Sequence, residues 1–177
     1  MTEAPAVLRH TPLHASHLAL GARMVPYAGY EMPVQYTSII EEHRTVRSAV
    51  GLFDLSHMGE LHLSGPEALA FARYAVVSDP GLLEPGQAQY SMLCAPDGGI
   101  IDDLIVYRVE DGYLIVCNAA NHDAVLGQLE SLRGPWGAIS AVSSERSASA
   151  TSKSPLPRND SSWPRTASWL AALQTIR

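Results

Sequence analysis

The spacing of apolar residues predicts four amphipathic helices along the chain. Apolar side chains recur at helical intervals at 14–22, 39–50, 66–77 and 120–132. Thr37 or Ser38 stands where an N-cap would precede the second helix, and Pro66 suits the first turn of the third. Between the first two helices, glycine and proline interrupt the periodicity, so a loop or an edge strand is expected there.

Alternation of apolar and polar residues predicts strands between these helices. One strand runs from Met58 to Leu63, and three more lie within 86–118, separated by turn-forming residues at 96–99 and 110–112. Strands joined by such short links form an antiparallel meander. Helices packed on an antiparallel sheet define an α+β fold, and no glycine-rich nucleotide motif favours a doubly wound sheet.

The pattern changes after Leu132. The segment 143–168 holds 9 serines in 26 residues and almost no apolar periodicity. Such a segment buries too little apolar surface to offset the entropy of ordering, so disorder is predicted there. The chain therefore divides into a folded part, 1–132, and a tail, 133–177.

Composition and charge narrow the classes of function. Hydrophobic residues make up 46% of the chain and charged residues 17%, as in globular proteins. Residues 1–132 contain 6 arginines and 16 acidic residues, a net charge of −10, which does not favour binding to nucleic acid. Neither a membrane span nor a signal peptide is evident, so a cytoplasmic protein is expected.

Asp102 and Asp103 interrupt an otherwise apolar strand and are the most informative polar residues. Neighbours on a strand point to opposite faces, so at most one of them joins the core-facing row. One interpretation is that one carboxylate is exposed and the other caps the turn at Gly98 and Gly99. The other is that one carboxylate is held against a ligand with amine nitrogens, as a base or to stabilise positive charge.

Two other groups of polar residues are weaker candidates. Asp54, Ser56 and His57 have the residue types of a hydrolase triad, but adjacent positions do not converge in space, and turn chemistry with a satisfied polar network is the preferred interpretation. His14 and His17 are one helical step apart, yet no third ligand is evident, so no metal site is predicted.

Three segments of the sequence resemble those of a known protein family. "GLFDLSHMGE", "YSMLCAPDGGIIDDLIVYR" and "YLIVCNAAN" follow one another in the same order as in the glycine cleavage system T-proteins, the aminomethyltransferases. The chain closely resembles the N-terminal portion of that family from about Thr11 to Leu132. The resemblance implies that residues 1–132 form the N-terminal part of the folate-binding domain of that family.

The resemblance also implies a site and a reaction. The first Asp of the acidic pair lies beside folate in the family and is critical for catalysis, which implies a catalytic role for Asp102. Met58, Tyr90 and Asn118 match positions that line the folate site. The implied reaction transfers a methylene unit from the aminomethyl-lipoyl arm of H-protein to tetrahydrofolate and releases ammonia. Tetrahydrofolate is then a co-substrate, lipoylated H-protein a partner, and no metal is implied.

The tail departs from the family pattern. Family members are much longer, and several of their pteridine-contacting residues lie beyond the equivalent of Leu132. A frameshifted or mispredicted reading frame is the leading hypothesis for the tail, with a natural short paralogue as the alternative. Weak or no turnover is therefore expected from this chain alone.

Two other functions remain open at this point. One is a non-catalytic folate-binding relative, such as the scaffold proteins of iron-sulfur cluster assembly, although their "KGCYxGQE"-like segment is not found in this sequence. The other is an inactive fragment that exposes core surface and aggregates.

Overall fold

A computed structural model of the chain describes residues 7–134, 136 and 141–145. Within these residues the helices are α1 (His14–Ala19), α2 (Ile39–Ser48), α3 (Ala68–Ala75) and α4 (His122–Leu132), with a short 3-10 turn at Pro80–Leu82. The strands are β1 (Arg23–Tyr27), β2 (Tyr30–Gln35), β3 (Gly59–Ser64), β4 (Ala88–Cys94), β5 (Ile100–Val109), β6 (Gly112–Cys117) and β7 (Ala141–Glu145). The predicted α+β class is confirmed.

The segment between α1 and α2 forms a complete hairpin, where only a loop or edge strand was expected. β1 and β2 pair antiparallel, and Tyr27 faces Tyr30 across a two-residue turn. Ala28 and Gly29 both have positive φ, at 48° and 81°, which is the turn geometry that matches the twist of two-stranded hairpins. The predicted end of the helical periodicity is confirmed, because α1 ends at Ala19, but the segment forms two paired strands where at most one edge strand was expected.

The larger sheet has five strands in the order β4-β5-β6-β3-β7. The predicted meander is confirmed, because β4, β5 and β6 are neighbours and each pair is antiparallel. β3 lies on the far side of β6, with Gly59 opposite Cys117 and Ser64 opposite Gly112. This register brings the start of β3, the end of β6 and the start of β5 to the same end of the strands, which we call the sheet edge.

One face of this sheet forms the core together with α3 and α4. Phe71 of α3 and Leu129 of α4 are fully buried against core-facing strand residues such as Leu61, Val106 and Ile115. Each large apolar side chain removed from water contributes roughly 1.5–3 kcal/mol to folding, so this cluster is the main source of stability. It also fixes the sheet edge at which the candidate residues lie.

α2 forms as predicted, but it contributes little to the core. Ser38 is its N-cap and accepts a hydrogen bond from the backbone N–H of Glu41 at 3.2 Å. None of its residues is buried, and Ile39 and Ile40 are each at least 60% exposed. Val46 is half-buried, so the apolar stripe of α2 is mostly, but not fully, exposed in the part of the chain that the structure describes.

β7 overlaps the start of the segment that was predicted to be disordered. Its backbone pairs with the free edge of β3, with Ala141 opposite Ser64 and Glu145 opposite Glu60. Ladder hydrogen bonds involve backbone groups, so an edge strand can form from a polar sequence that hydropathy does not indicate. The rest of the segment 143–168 lies outside the described residues. No helix in the described part of the chain is long and apolar enough to cross a bilayer.

Candidate functional site

Asp102 and Asp103 point to opposite faces of β5. Asp102 continues the core-facing row of Leu104 and Val106 and is only 2% exposed, whereas Asp103 is exposed. The turn at Gly98 and Gly99 is capped by Asp97, which accepts a hydrogen bond from the N–H of Gly99 at 3.0 Å. Capping by a member of the acidic pair is therefore wrong, and burial of Asp102 requires another explanation.

Two asparagines satisfy the buried carboxylate of Asp102. The backbone N–H of Asn118 donates to Oδ2 at 2.8 Å, and its side-chain Nδ2 donates to Oδ1 at 2.9 Å. Nδ2 of Asn121 donates to the same Oδ1 at 2.7 Å. Three donors compensate the cost of removing a carboxylate from water and hold it in one orientation.

The local chain path explains why these asparagines converge on Asp102. β6 ends at Cys117, and the next four residues turn into α4, with the N–H of Asn121 bonded to the carbonyl of Asn118 at 3.0 Å. Asn121 is the N-cap residue of α4, although its side chain binds Asp102 and not the helix N-terminus. The sequence interpretation missed Asn121; its signal was a second asparagine three residues after Asn118.

Tyr90 and Asp103 form a second, exposed pair beside this cluster. The hydroxyl of Tyr90 donates to Oδ2 of Asp103 at 2.5 Å, and Tyr90 is 60% exposed. This hydrogen bond raises the pKa of Tyr90, with smaller contributions from burial and from the charges of Asp103 and Asp102. Nδ2 of Asn118 also lies 3.2 Å from Oδ1 of Asp103, so Asn118 links the two carboxylates.

Met58 lies at the same sheet edge but in a separate concavity. It immediately precedes β3, and with His57, Ala119 and His122 it lines a shallow concavity that leaves no room for a water molecule. Pockets for drug-sized ligands are far larger. The described residues therefore bring Asp102, Asn118 and Tyr90 together with Asp103, and they leave Met58 in a hollow too small for a folate.

The polar residues before β3 form a network, not a triad. Oδ2 of Asp54 binds the hydroxyl of Thr11 at 2.6 Å and Nε2 of His17 at 2.8 Å, and Nδ1 of His17 contacts the hydroxyl of Tyr36 at 2.7 Å. Burial raises the pKa of Asp54, but its hydrogen bonds with His17, Thr11 and Ser56 outweigh burial and lower that pKa to about 2. The preference for turn chemistry is confirmed for Asp54 and Ser56, since the backbone N–H of Ser56 donates to Oδ1 of Asp54 at 2.9 Å, but a satisfied network is wrong for His57.

His57 is not the partner of Asp54. Its ring meets the rings of Tyr27 and Tyr30 edge-on, with centroids 5.7 and 6.2 Å away. Its Nδ1 is buried and has no hydrogen-bond partner among the described residues. Burial lowers the pKa of His57, and the charge of Asp54 offsets this only in part. The ring therefore favours its neutral form.

His14 has partners that its spacing from His17 does not indicate. Its ring stacks on that of His10, with centroids 3.6 Å apart, and its Nε2 lies 2.7 Å from Oε2 of Glu31. The third polar group comes from β2, which the sequence interpretation did not predict as a hairpin strand. These three side chains form a cluster distinct from Asp102.

Comparison with known proteins gives matches over the part of the chain that contains these residues. The family described as the GCVT N-terminal domain matches residues 13–151. An aminomethyltransferase of Thermus thermophilus is 51% identical over 142 residues, which are 80% of this chain and 41% of that protein. The aminomethyltransferase of Corynebacterium aurimucosum is 55% identical over 117 residues, which are 66% of this chain and 32% of that protein.

A solved structure is similar as well. The crystal structure of glycine cleavage system aminomethyltransferase T from Bartonella henselae matches with a TM-score of 0.70 and 37% identity, covering 75% of this chain and 37% of that one. This chain thus spans less than half the length of these relatives. The family match extends past Leu132, and a frameshift in the tail stays a prediction. Over most of its length, the chain belongs to the GCVT N-terminal domain family.

Proposed function

We propose that this chain carries the acidic part of a glycine cleavage aminomethyltransferase site. The substrates would be tetrahydrofolate and the aminomethyl group on the lipoyl arm of H-protein, and the products would be methylenetetrahydrofolate, ammonia and dihydrolipoyl H-protein. Family membership and the names of the relatives support this reaction class. Asp102, Tyr90, Asn118 and Met58 are the residues proposed to meet folate.

The observation that carries the proposal is the support given to Asp102. A buried carboxylate with three donors from Asn118 and Asn121 is held in place before any ligand arrives. Preorganised charge of this kind stabilises a transition state without reorganisation during the reaction.

The proposed role of Asp102 is electrostatic. Attack of a folate nitrogen on a one-carbon unit develops positive charge at nitrogen, and a fixed anion stabilises that charge. Oδ1 accepts two hydrogen bonds from the described residues and Oδ2 accepts one, so Oδ2 retains capacity for another N–H donor. Asn118 would position Asp102, and Tyr90 would offer an exposed aromatic face beside it.

Turnover by this chain alone is proposed to be slow. The concavity beside Met58 is small, and the aminomethyltransferase relatives are more than twice as long as the matched segment. Loss of substrate positioning costs as much rate as loss of a catalytic group. We therefore expect weak binding of tetrahydrofolate and slow release of ammonia.

Two assays on the same preparation test the proposal. Tetrahydrofolate binding is measured by isothermal titration calorimetry, and ammonia release is measured with aminomethyl-loaded H-protein. Release that requires both substrates supports the proposal. Binding without release indicates a non-catalytic folate-binding relative, and neither binding nor release indicates an inactive fragment; both results contradict the proposal.

A further inference from the structure

The side chains of His10, His14 and Glu31 converge near the N-terminal end of the described chain. Nε2 of His14 lies 2.7 Å from Oε2 of Glu31, and Nε2 of His10 lies 3.4 Å from the same oxygen. One ligand atom from each residue lies within 4.8 Å of the others. Two imidazoles and one carboxylate form a common ligand set for divalent first-row transition metals.

The backbone holds these three residues in place. Arg9 pairs with the start of β2, because its N–H binds the carbonyl of Gly29 at 3.0 Å and its carbonyl accepts the N–H of Glu31 at 2.9 Å. His10 is therefore fixed next to Glu31. His14 is the first residue of α1, and its N–H binds the carbonyl of Thr11 at 3.1 Å. Three separate segments thus supply one ligand each from anchored positions.

The separations are close to those of a metal centre. Zinc bonds of about 2.0–2.1 Å in tetrahedral geometry place ligand atoms about 3.3 Å apart. Moving the side chains by about an ångström reaches that spacing. The His10 and His14 rings are parallel within 5°, and one ion shared by both Nε2 atoms requires one ring to tilt. The side chain of His10 is 56% exposed, so its ring has room to tilt.

His17 is one helical step from His14, but both of its ring nitrogens have other hydrogen-bond partners. Its Nε2 binds Asp54 and its Nδ1 contacts Tyr36. The side chain of His14, by contrast, is 14% exposed and that of Glu31 is 35% exposed, so both reach solvent. A water molecule has access to a fourth ligand position there.

We propose that His10, His14 and Glu31 bind one divalent first-row transition metal ion, with water completing the coordination. Such an ion would join the segment before α1, the start of α1 and strand β2. The proposal is independent of the reaction proposed for Asp102. The competing explanation is a hydrogen-bonded cluster of the same three side chains without metal affinity.

The test is titration of the metal-free, tag-free chain with Zn²⁺ by calorimetry, followed by Co²⁺ absorption spectroscopy. We expect one ion per chain, visible Co²⁺ bands without a thiolate charge-transfer band, and a Zn²⁺-dependent increase in Tm that EDTA reverses. His10→Ala, His14→Ala and Glu31→Gln should each weaken Zn²⁺ binding at least about 10-fold, because even loss of groups that support metal ligands costs about 10–100-fold.

His62→Ala is the matched control, because His62 lies 3.1 Å from the exposed carboxylate of Asp111 but that pair supplies only one imidazole. The control should bind Zn²⁺ like the wild-type chain. The exposed position of His10 makes His10→Ala the variant least prone to misfolding, and circular dichroism checks its fold. No Zn²⁺ binding by the wild-type chain, unchanged affinity in His10→Ala and His14→Ala, or equal weakening in His62→Ala would overturn the proposal.

Discussion

Asn118 holds both carboxylate oxygens of Asp102, through its backbone N–H to Oδ2 at 2.8 Å and its side-chain amide to Oδ1 at 2.9 Å. The contact joins the end of β6 to the start of β5 across the sheet edge. Because Asn118 also reaches Asp103, the orientation of one side chain governs the surroundings of both acidic residues.

Asp102→Asn should lower the free energy of unfolding by about 1–3 kcal/mol, since an amide at this position turns its NH₂ group toward donors and leaves a buried donor unsatisfied. Asp103→Asn should change it by no more than about 0.5 kcal/mol, because Asp103 is exposed. Urea unfolding followed by circular dichroism measures both. Equal changes in the two variants would contradict the assigned burial.

Tyr90 should titrate at higher pH than an ordinary tyrosine. Its pKa is raised chiefly because its hydroxyl donates to Asp103, so Asp103→Asn should move the titration toward lower pH. The tyrosinate absorbance of Tyr90 is isolated by subtracting the titration of Tyr90→Phe. A Tyr90 titration that is the same with and without the Asp103 carboxylate would argue against this hydrogen bond.

Asp54 should contribute stability that is lost in acid. Its pKa is about 2 in the folded chain, whereas its ordinary value is 3.8. The contribution to stability is therefore fully present above pH 3.8 and is lost as the pH falls from about 4 to about 2. The shift corresponds to on the order of 2 kcal/mol. Asp54→Asn should therefore unfold more easily at neutral pH, with a difference from wild type that narrows below about pH 4.

The control for Asp54 is Asp111→Asn, because the Asp111 side chain is 74% exposed. Its free energy of unfolding should remain near that of the wild-type chain at every pH. A wild-type to Asp54→Asn difference that stays constant from about pH 6 to about pH 2.5 would show that the network does not favour the ionised carboxylate.

Gly112 should tolerate no side chain. Its φ is +155°, and a Cβ atom there would meet the backbone carbonyl oxygen of Leu63 on β3 well inside contact distance. Gly112→Ala should therefore destabilise the β3–β6 pairing by more than about 2 kcal/mol. Gly127→Ala, in α4 with open space around it, should stabilise by about 0.5–1 kcal/mol. Thermal unfolding should show a lower Tm for Gly112→Ala and a higher Tm for Gly127→Ala than for the wild-type chain.

Local periodicity was sufficient to predict the meander and the helices that pack on it. Alternation along β5 separated the environments of Asp102 and Asp103, and Ser38 was correctly considered as the N-cap of α2. These features depend on neighbours within a few residues. Secondary structure of that kind is encoded in the nearby sequence and is therefore accessible without coordinates.

Contacts between distant segments could not be predicted from the local sequence pattern. Asn121 reaches Asp102 from 19 positions away, and His17 reaches Asp54 from 37 positions away. Pairing of Glu31 with His14 depends on a hairpin whose Ala28 turn residue adopts a positive φ that non-glycine residues seldom adopt. The strand pattern drew attention to the acidic pair, but the family resemblance selected Asp102 within it and pointed to Tyr90, Asn118 and Met58.

The central claim is that Asp102 acts on a folate substrate. The most direct measurement is the tetrahydrofolate-dependent rate of ammonia release from aminomethyl-loaded H-protein, compared among the wild-type chain, Asp102→Asn and Asp103→Asn. The account predicts slow release by the wild-type chain, loss of that release in Asp102→Asn and retention of most of it in Asp103→Asn. No release by the folded wild-type chain, or equal losses in the two variants, would contradict it.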